Sequence, residues 1–205
     1  MITLETDSGD YYLLTKGVEL SKNVDGLTCE IGLRRGGGTK FILDALQIHG
    51  KKTHIAIDPY GNIEYEHKEG EVVRLDYTNQ MRDECLSNLH AYAKEIQVPL
   101  LFWNLEDMEF FKRFSDGVPL YNEVKTIVNS YSFIHYDGPH SIAPLLVEID
   151  FFKSRTPIGG CWCFDDVKGN YDHDFIEAEV FKLGFVLIEK AEKKQKKSTP
   201  IEVPK

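Results

Sequence analysis

Residues 27–61, "LTCEIGLRRGGGTKFILDALQIHGKKTHIAIDPYG", constrain the fold more than any other stretch. An apolar run, "LTCEIG" (27–32), ends in glycine and reads as a buried parallel strand. Phe41, Ile42, Ala45, Leu46 and Ile48 then recur at helical spacing until Gly50 stops the helix. A second apolar run, 53–61, closes in a Pro and Gly turn. Strand, glycine turn, helix and strand make a βαβ unit, which commits the chain to a parallel sheet with a crossover helix. Between the first strand and the helix, Gly36, Gly37 and Gly38 strip the backbone of side chains. Glycine removes bulk and makes positive φ free of steric cost, so something must come close to the main chain there.

The remaining sequence continues the alternation. Residues 62–77 alternate apolar and polar positions around a Lys-Glu-Gly turn and predict a hairpin, and 79–96 is an amphipathic helix. Strands are predicted at 98–104, 131–138, 158–166 and 185–191, with an edge strand around Pro200. Helices are predicted from Glu106 to about Ser130, broken at "SDGVP", and at 141–153 and 173–183. Residues 1–26 form a leader with some helix, and 191–205 an edge strand or tail. The expected fold is α/β, a single doubly wound domain whose mostly parallel, seven-stranded sheet carries helices on both faces.

A chain of 205 residues suits one domain, and 42% hydrophobic residues argue for a packed core. A formal net charge of -9 disfavours nucleic acid, since neutralising phosphates needs clustered Lys and Arg. The N-terminus lacks a basic and apolar signal pattern, and no apolar run is long enough to span a bilayer, so a cytoplasmic protein is expected. Cys29, Cys85, Cys161 and Cys163 lack metal or redox spacing and read as reduced core thiols. The lysine-rich "EKKQKK" reads as an edge guard, which leaves a homo-oligomer open elsewhere.

Ligands of such sheets bind beyond the carboxyl ends of the strands. Those ends carry Glu30 and Gly32, Asp58, Asn104, Asp137, and Asp165 with Asp166. Acids crowded at one rim repel unless cations or donors lie between them. Asp58 falls about twenty positions beyond the glycines, the offset at which an acid meets ribose hydroxyls in dinucleotide folds, although the glycine spacing is not G-x-G-x-x-G. Taken singly, each feature has a structural alternative. The glycines make a tight turn, Asp137-Gly138-Pro139 a β-turn, and Asp165-Asp166 a helix cap.

"EIGLRRGGGTKFI" with "AIDPYG" resembles motif I and the acidic second-strand end of class I S-adenosylmethionine-dependent methyltransferases. "FIHYDGPHS" and "RTPIGGCWCFDDV" resemble the later signature of the metal-dependent subgroup related to macrocin O-methyltransferase, and the likeness covers about residues 27–190. The resemblance implies a Rossmann-like fold and an O-methyltransferase that uses S-adenosylmethionine and Mg²⁺ or another divalent cation. It implies that Glu30, Gly32, Gly36, Gly37 and Gly38 cradle the methionine end of the cofactor, that Asp58 binds the ribose, and that Leu105, Glu106 and Asp107 border the adenine. It further implies that Asp137, Asp165 and Asp166 bind the metal and that His140 is the general base, with Asp137 beside it at the catalytic centre. Oxygen ligands suit Mg²⁺ and leave positions for a substrate diol, whose hydroxyl pKa the metal would lower.

His173 and His135 are alternative proton carriers, and strand alternation puts His135 on the same face as Asp137. Tyr11, Tyr12, Tyr60, Tyr65, Tyr77 and Tyr171 lie in segments that would form the acceptor pocket and suit a polar ring, or else pack on the surface. The expected partner is a small hydroxylated acceptor, a sugar or glycan-linked diol ahead of a catechol. Two other readings stay open: an enzyme binding NAD or another nucleotide, and a cofactor-binding interaction module without turnover.

Overall fold

The computed structural model describes residues 10–68, 70–74, 77–139, 141–165 and 172–191. In chain order its elements are α1 (Tyr12–Leu20), β1 (Leu27–Ile31), α2 (Gly37–His49), β2 (His54–Ile57), β3 (Glu64–Lys68), β4 (Glu71–Arg74), α3 (Asn79–Ile96) and β5 (Leu100–Trp103). There follow α4 (Asp107–Arg113), β6 (Val118–Tyr121), β7 (Lys125–Val128), β8 (Tyr131–Tyr136), α5 (Ile142–Lys153), β9 (Cys161–Phe164) and α6 (His173–Lys182).

β1, β2 and β8 are buried along their whole length, as strands covered on both faces must be. With β5 and β9 at the edges they make a sheet in the order β5-β2-β1-β8-β9, and every neighbouring pair is parallel. Side chains of alternate residues divide between two cores. Ala56, Phe133, Phe102 and Cys163 pack under residues of α1, α2 and α3, such as Leu14, Leu46 and Leu89. Cys29, Ile31, Ile55, Ile134 and Tyr136 pack against residues of α4, α5 and α6, such as Phe110, Phe152 and Ile176. Helices therefore cover both faces, as the sequence predicts.

The chain moves from β1 through β2 to β5 on one side, then returns to β8 and β9 on the other. The direction of winding reverses between β1 and β8, where parallel sheets open a crevice at their carboxyl ends.

Three expectations need correction. The sheet has five strands among the described residues, not seven. Residues 185–191 form no strand. Phe185 stacks on Trp162 at 4.0 Å on the α4–α6 side, while Glu189 pairs with Lys16 and accepts from Tyr12 Oη on α1. The segment thus crosses the open edge of β9 from one face to the other, and guards it without joining the ladder. The strand expected around Pro200 lies outside the described residues. The helical reading of 106–130 also holds only for α4. Beyond Gly117, β6 and β7 pair as an antiparallel hairpin, in which Val118, Leu120, Thr126 and Val128 fall on one face at a strand period. The hairpin predicted at 62–77 is present as β3 and β4.

Candidate active site

The strand ends converge at the switch point. The ladder continues past each end by one bond, from Asp137 N to Ile31 O at 3.0 Å and from Asp165 N to Tyr136 O at 3.0 Å. Main-chain pairing thereby fixes where both acids leave the sheet. Asp137 and Asp165 are half-buried, and each can present a carboxylate oxygen with one nitrogen of buried His135 so that all three atoms lie within 4.8 Å of one another. Ligands bound at about 2.0–2.2 Å to one cation are about 3 Å apart when adjacent and about 4 Å when opposite. The three donors therefore fit a divalent cation with small adjustments. Asp166 and His140, the third expected metal ligand and the expected base, lie outside the described residues.

Beneath this cluster is a buried polar network. Glu30, 1% exposed, is in register with His135 of β8, and its Oε1 lies 2.9 Å from His135 Nδ1. Its Oε2 accepts from the Thr39 hydroxyl and lies 3.9 Å from His54 Nε2, while His54 Nδ1 bonds Thr28 Oγ1 at 2.9 Å. Burial alone would raise the carboxyl pKa, but the His135 bond and, more weakly, the His54 imidazole outweigh it and hold Glu30 at about 2. α2 begins directly above this carboxylate. No side chain caps its N-terminus, and the positive end of the helix dipole favours the anion below.

That arrangement explains the glycines. A Cβ on Gly38 would overlap Glu30 Oε1 and come 3.4 Å from His135 Cε1. At Gly36, φ is 78° and an added Cβ would lie 2.8 Å from Leu89 Cδ1 and 2.9 Å from Cys85 Sγ on α3. A Cβ on Gly32, where φ is 85°, would overlap the carbonyl of Asp137. What comes close to the stripped backbone at these three positions is the chain itself. Gly37 is buried beside them.

Asp58 closes the same turn from the other side. Its Oδ2 accepts from the N–H groups of Leu33 at 2.9 Å and Arg34 at 3.1 Å, and Oδ1 from that of Tyr60 at 3.0 Å. Burial pushes its carboxyl up to about 6 despite these three donors. Tyr60, wholly buried, donates from Oη to the Arg34 carbonyl at 2.6 Å. Asn104 Nδ2 in turn bonds the Asp58 carbonyl at 3.2 Å, tying the ends of β2 and β5 together. Leu105 is half-buried and Glu106 is the exposed residue preceding α4. Asp107 faces Glu148 of α5, whose carboxyl group burial and then Asp107 push well above its usual range. Glu148 also lies beneath the end of β8, where a Cβ on Gly138 would be 3.1 Å from its Oε1.

The structure thus brings Glu30, Gly32, Gly38, Asp137 and Asp165 to one crevice, with Asp58 on its β2 side. His173 stands at the start of α6 and pairs with Asp174 at 3.0 Å. Of the tyrosines expected to line the acceptor pocket, Tyr11 and Tyr60 are core residues, and Tyr77 packs on Tyr60 at 6.4 Å. Tyr12 is exposed, and Tyr171 and the side chain of Tyr65 lie outside the described part. His135 was visible as sharing a face with Asp137. Its pairing with Glu30 was not, because strand register is a property of the assembled sheet.

The five-stranded parallel sheet with helices on both faces is a fold that this chain shares with solved O-methyltransferases. No family model matches the chain, and no curated protein matches it. Among solved structures, it is similar to apo CalS11, described as TDP-rhamnose 3'-O-methyltransferase of calicheamicin biosynthesis, with TM-score 0.58 and 9% identity over 83% of this chain and 68% of that one. A second CalS11 structure gives TM-score 0.54 and 9% identity over 85% of this chain and 71% of CalS11. The O-methyltransferase from Bacillus cereus in complex with SAH gives TM-score 0.54 and 11% identity over 89% of this chain and 71% of that one. At these identities the likeness is one of fold. No helix among the described residues is long and apolar enough to cross a membrane.

Proposed function

We propose that the protein is an O-methyltransferase that takes S-adenosylmethionine at the β1–α2 turn and a small hydroxylated acceptor at the neighbouring metal cluster. The observation that carries this reading is the meeting of His135, Asp137 and Asp165 at the β1/β8 switch point, beside the glycine turn. The shared fold with a methyltransferase of a nucleotide-linked sugar and with one holding SAH supports the cofactor, and favours a sugar or other diol as acceptor.

The cofactor supplies an electrophilic methyl group, and a divalent cation supplies Lewis acidity towards the acceptor hydroxyl. The chain's own work is alignment. Asp58 holds the Leu33–Arg34 backbone in the conformation that meets the cofactor, and Asp137 and Asp165 hold the acceptor side on strand ends that cannot shift without breaking ladder bonds. Such fixed placement of two reactants is worth up to about 7–11 kcal/mol of a bimolecular barrier. In this reading His140 removes the acceptor proton, and the buried thiols take no part. Each of Cys29, Cys85, Cys161 and Cys163 is pushed up by burial, away from the thiolate a nucleophile requires.

The test is transfer of a labelled methyl group from S-adenosylmethionine to a panel of nucleotide sugars and simple diols, with and without chelator. Turnover that falls on chelation and in Asp165→Asn supports the proposal. Binding of NAD that S-adenosylhomocysteine does not displace would overturn it in favour of a nucleotide-binding enzyme of another type.

A further inference from the structure

We infer that His135 is itself a metal ligand and that, with Asp137 and Asp165, it forms a mixed nitrogen and oxygen site that selects a first-row transition cation over Mg²⁺, with Glu30 as its positioning residue. This rests on the proposed function only in placing a divalent cation at the carboxyl edge of the sheet.

The assignment follows from proton bookkeeping on the imidazole. A carboxylate only accepts, and Glu30 Oε1 lies 2.9 Å from His135 Nδ1, so Nδ1 carries the ring proton and donates it. The nitrogen left with a lone pair is Nε2, the form in which a neutral histidine binds metals. Glu30 is anchored in turn by Thr39 at the start of α2, and the same helix start stands over the ring, where Gly38 leaves the space that Glu30 and His135 fill. Carboxylate, histidine and metal in series is the common arrangement by which a second carboxylate fixes the tautomer and aim of a ligating imidazole. Here both partners are at least 98% buried by their exposures of 1% and 2%, so neither is a surface pair drawn together by chance.

The donor set decides the metal. Mg²⁺ takes oxygen ligands and gives up its water reluctantly, whereas imidazole suits Mn²⁺, Fe²⁺, Co²⁺ and Zn²⁺ increasingly well along the first row. Three protein donors from two neighbouring strands also leave positions for an acceptor's oxygens. Glu30 thereby acts on the metal through His135, which differs from the contact with the cofactor that the sequence resemblance implies for it.

The experiment uses the full chain, stripped with chelator and loaded with Mn²⁺, and reads nitrogen hyperfine coupling by pulsed electron paramagnetic resonance. Mn²⁺ and Mg²⁺ affinities are measured beside it by calorimetry. The expected result is a directly bound nitrogen in the wild type that His135→Gln abolishes. Mn²⁺ affinity falls at least about tenfold in His135→Gln and about 10–100-fold in Glu30→Gln, while Mg²⁺ affinity in His135→Gln changes by less than about twofold, as expected for a cation that prefers oxygen. The wild-type spectrum keeps the test decisive even if a variant fails to fold. Mn²⁺ bound without nitrogen coupling overturns this inference and leaves an oxygen-only metal site standing. Absence of Mn²⁺ and Mg²⁺ binding alike overturns the metal part of the proposed function as well.

Discussion

Gly38→Ala sets two effects of opposite sign against each other. Gly38 lies in the first turn of α2, and replacing a helical glycine by alanine ordinarily stabilises by up to about 1 kcal/mol. Here the new Cβ would overlap Glu30 Oε1. A carboxylate oxygen at the end of a free side chain would swing aside at little cost, but this one is held by His135 Nδ1 and its partner oxygen by Thr39. Moving it breaks a buried hydrogen bond to a charged group, worth about 1.5–3 kcal/mol. The substitution should therefore destabilise by about 1–2 kcal/mol net of the propensity gain. At a urea m-value of about 2 kcal/mol/M, this lowers the unfolding midpoint by about 0.5–1 M. In a Glu30→Ala background the obstruction is gone, and Gly38→Ala should raise the midpoint. The coupling between the two sites is then about 2–3 kcal/mol, read by a double-mutant cycle. A midpoint that rises in the single variant would refute the reasoning, because Glu30 would then be free to move.

Other substitutions and conditions give further tests. Gly32→Ala combines a φ of 85° with overlap of a backbone carbonyl that cannot rotate away, so it should cost more than Gly38→Ala, about 3 kcal/mol or more by the same unfolding assay. Asp58 is held at about 6 in the fold against about 4 in an unfolded chain, so folding takes up a proton between those values and its contribution to stability grows as pH falls from about 6 to about 4. Asp58→Asn should flatten that part of the profile of unfolding free energy against pH. Glu30 has the opposite sign. Held at about 2, it contributes stability that is present above about 4.5 and lost as pH falls towards 2, so Glu30→Gln should lose most stability at neutral pH and least in acid. Glu148, pushed well above its usual range, favours the fold when protonated and loses that contribution as pH rises. Glu148→Gln should therefore gain more in thermal midpoint at pH 8 than at pH 5.

Much of the fold was legible because its signals are local. Gly50 stops α2, the Thr78 hydroxyl caps α3 by accepting from Met81 N, and the mostly apolar strand runs mark the covered sheet. The failures have physical reasons too. Residues 185–188 are as apolar as a strand, yet Val186, Leu187 and Ile188 remain more than half exposed, since what anchors the segment is Phe185 on Trp162 and Glu189 on α1. After α4 ends at Arg113, the short hairpin of β6 and β7 has too few residues for its strand period to stand out from a helical one in the sequence. At the site, strand-end acids could be read from the sequence, because ends are marked by the residues themselves. The partnership of Glu30 with His135 joins residues 105 positions apart and depends on which strands become neighbours. The glycine turn likewise signalled close approach correctly, but only the packed structure shows that Glu30, Leu89 and the Asp137 carbonyl make that approach at Gly38, Gly36 and Gly32.

Calorimetric titration of the purified protein with S-adenosylhomocysteine, with and without Mn²⁺, tests the central claim most directly. The account predicts saturable binding of one cofactor product per chain, weakened in Asp58→Asn under conditions where that variant remains folded. A folded wild-type protein that shows no binding in either condition would contradict it.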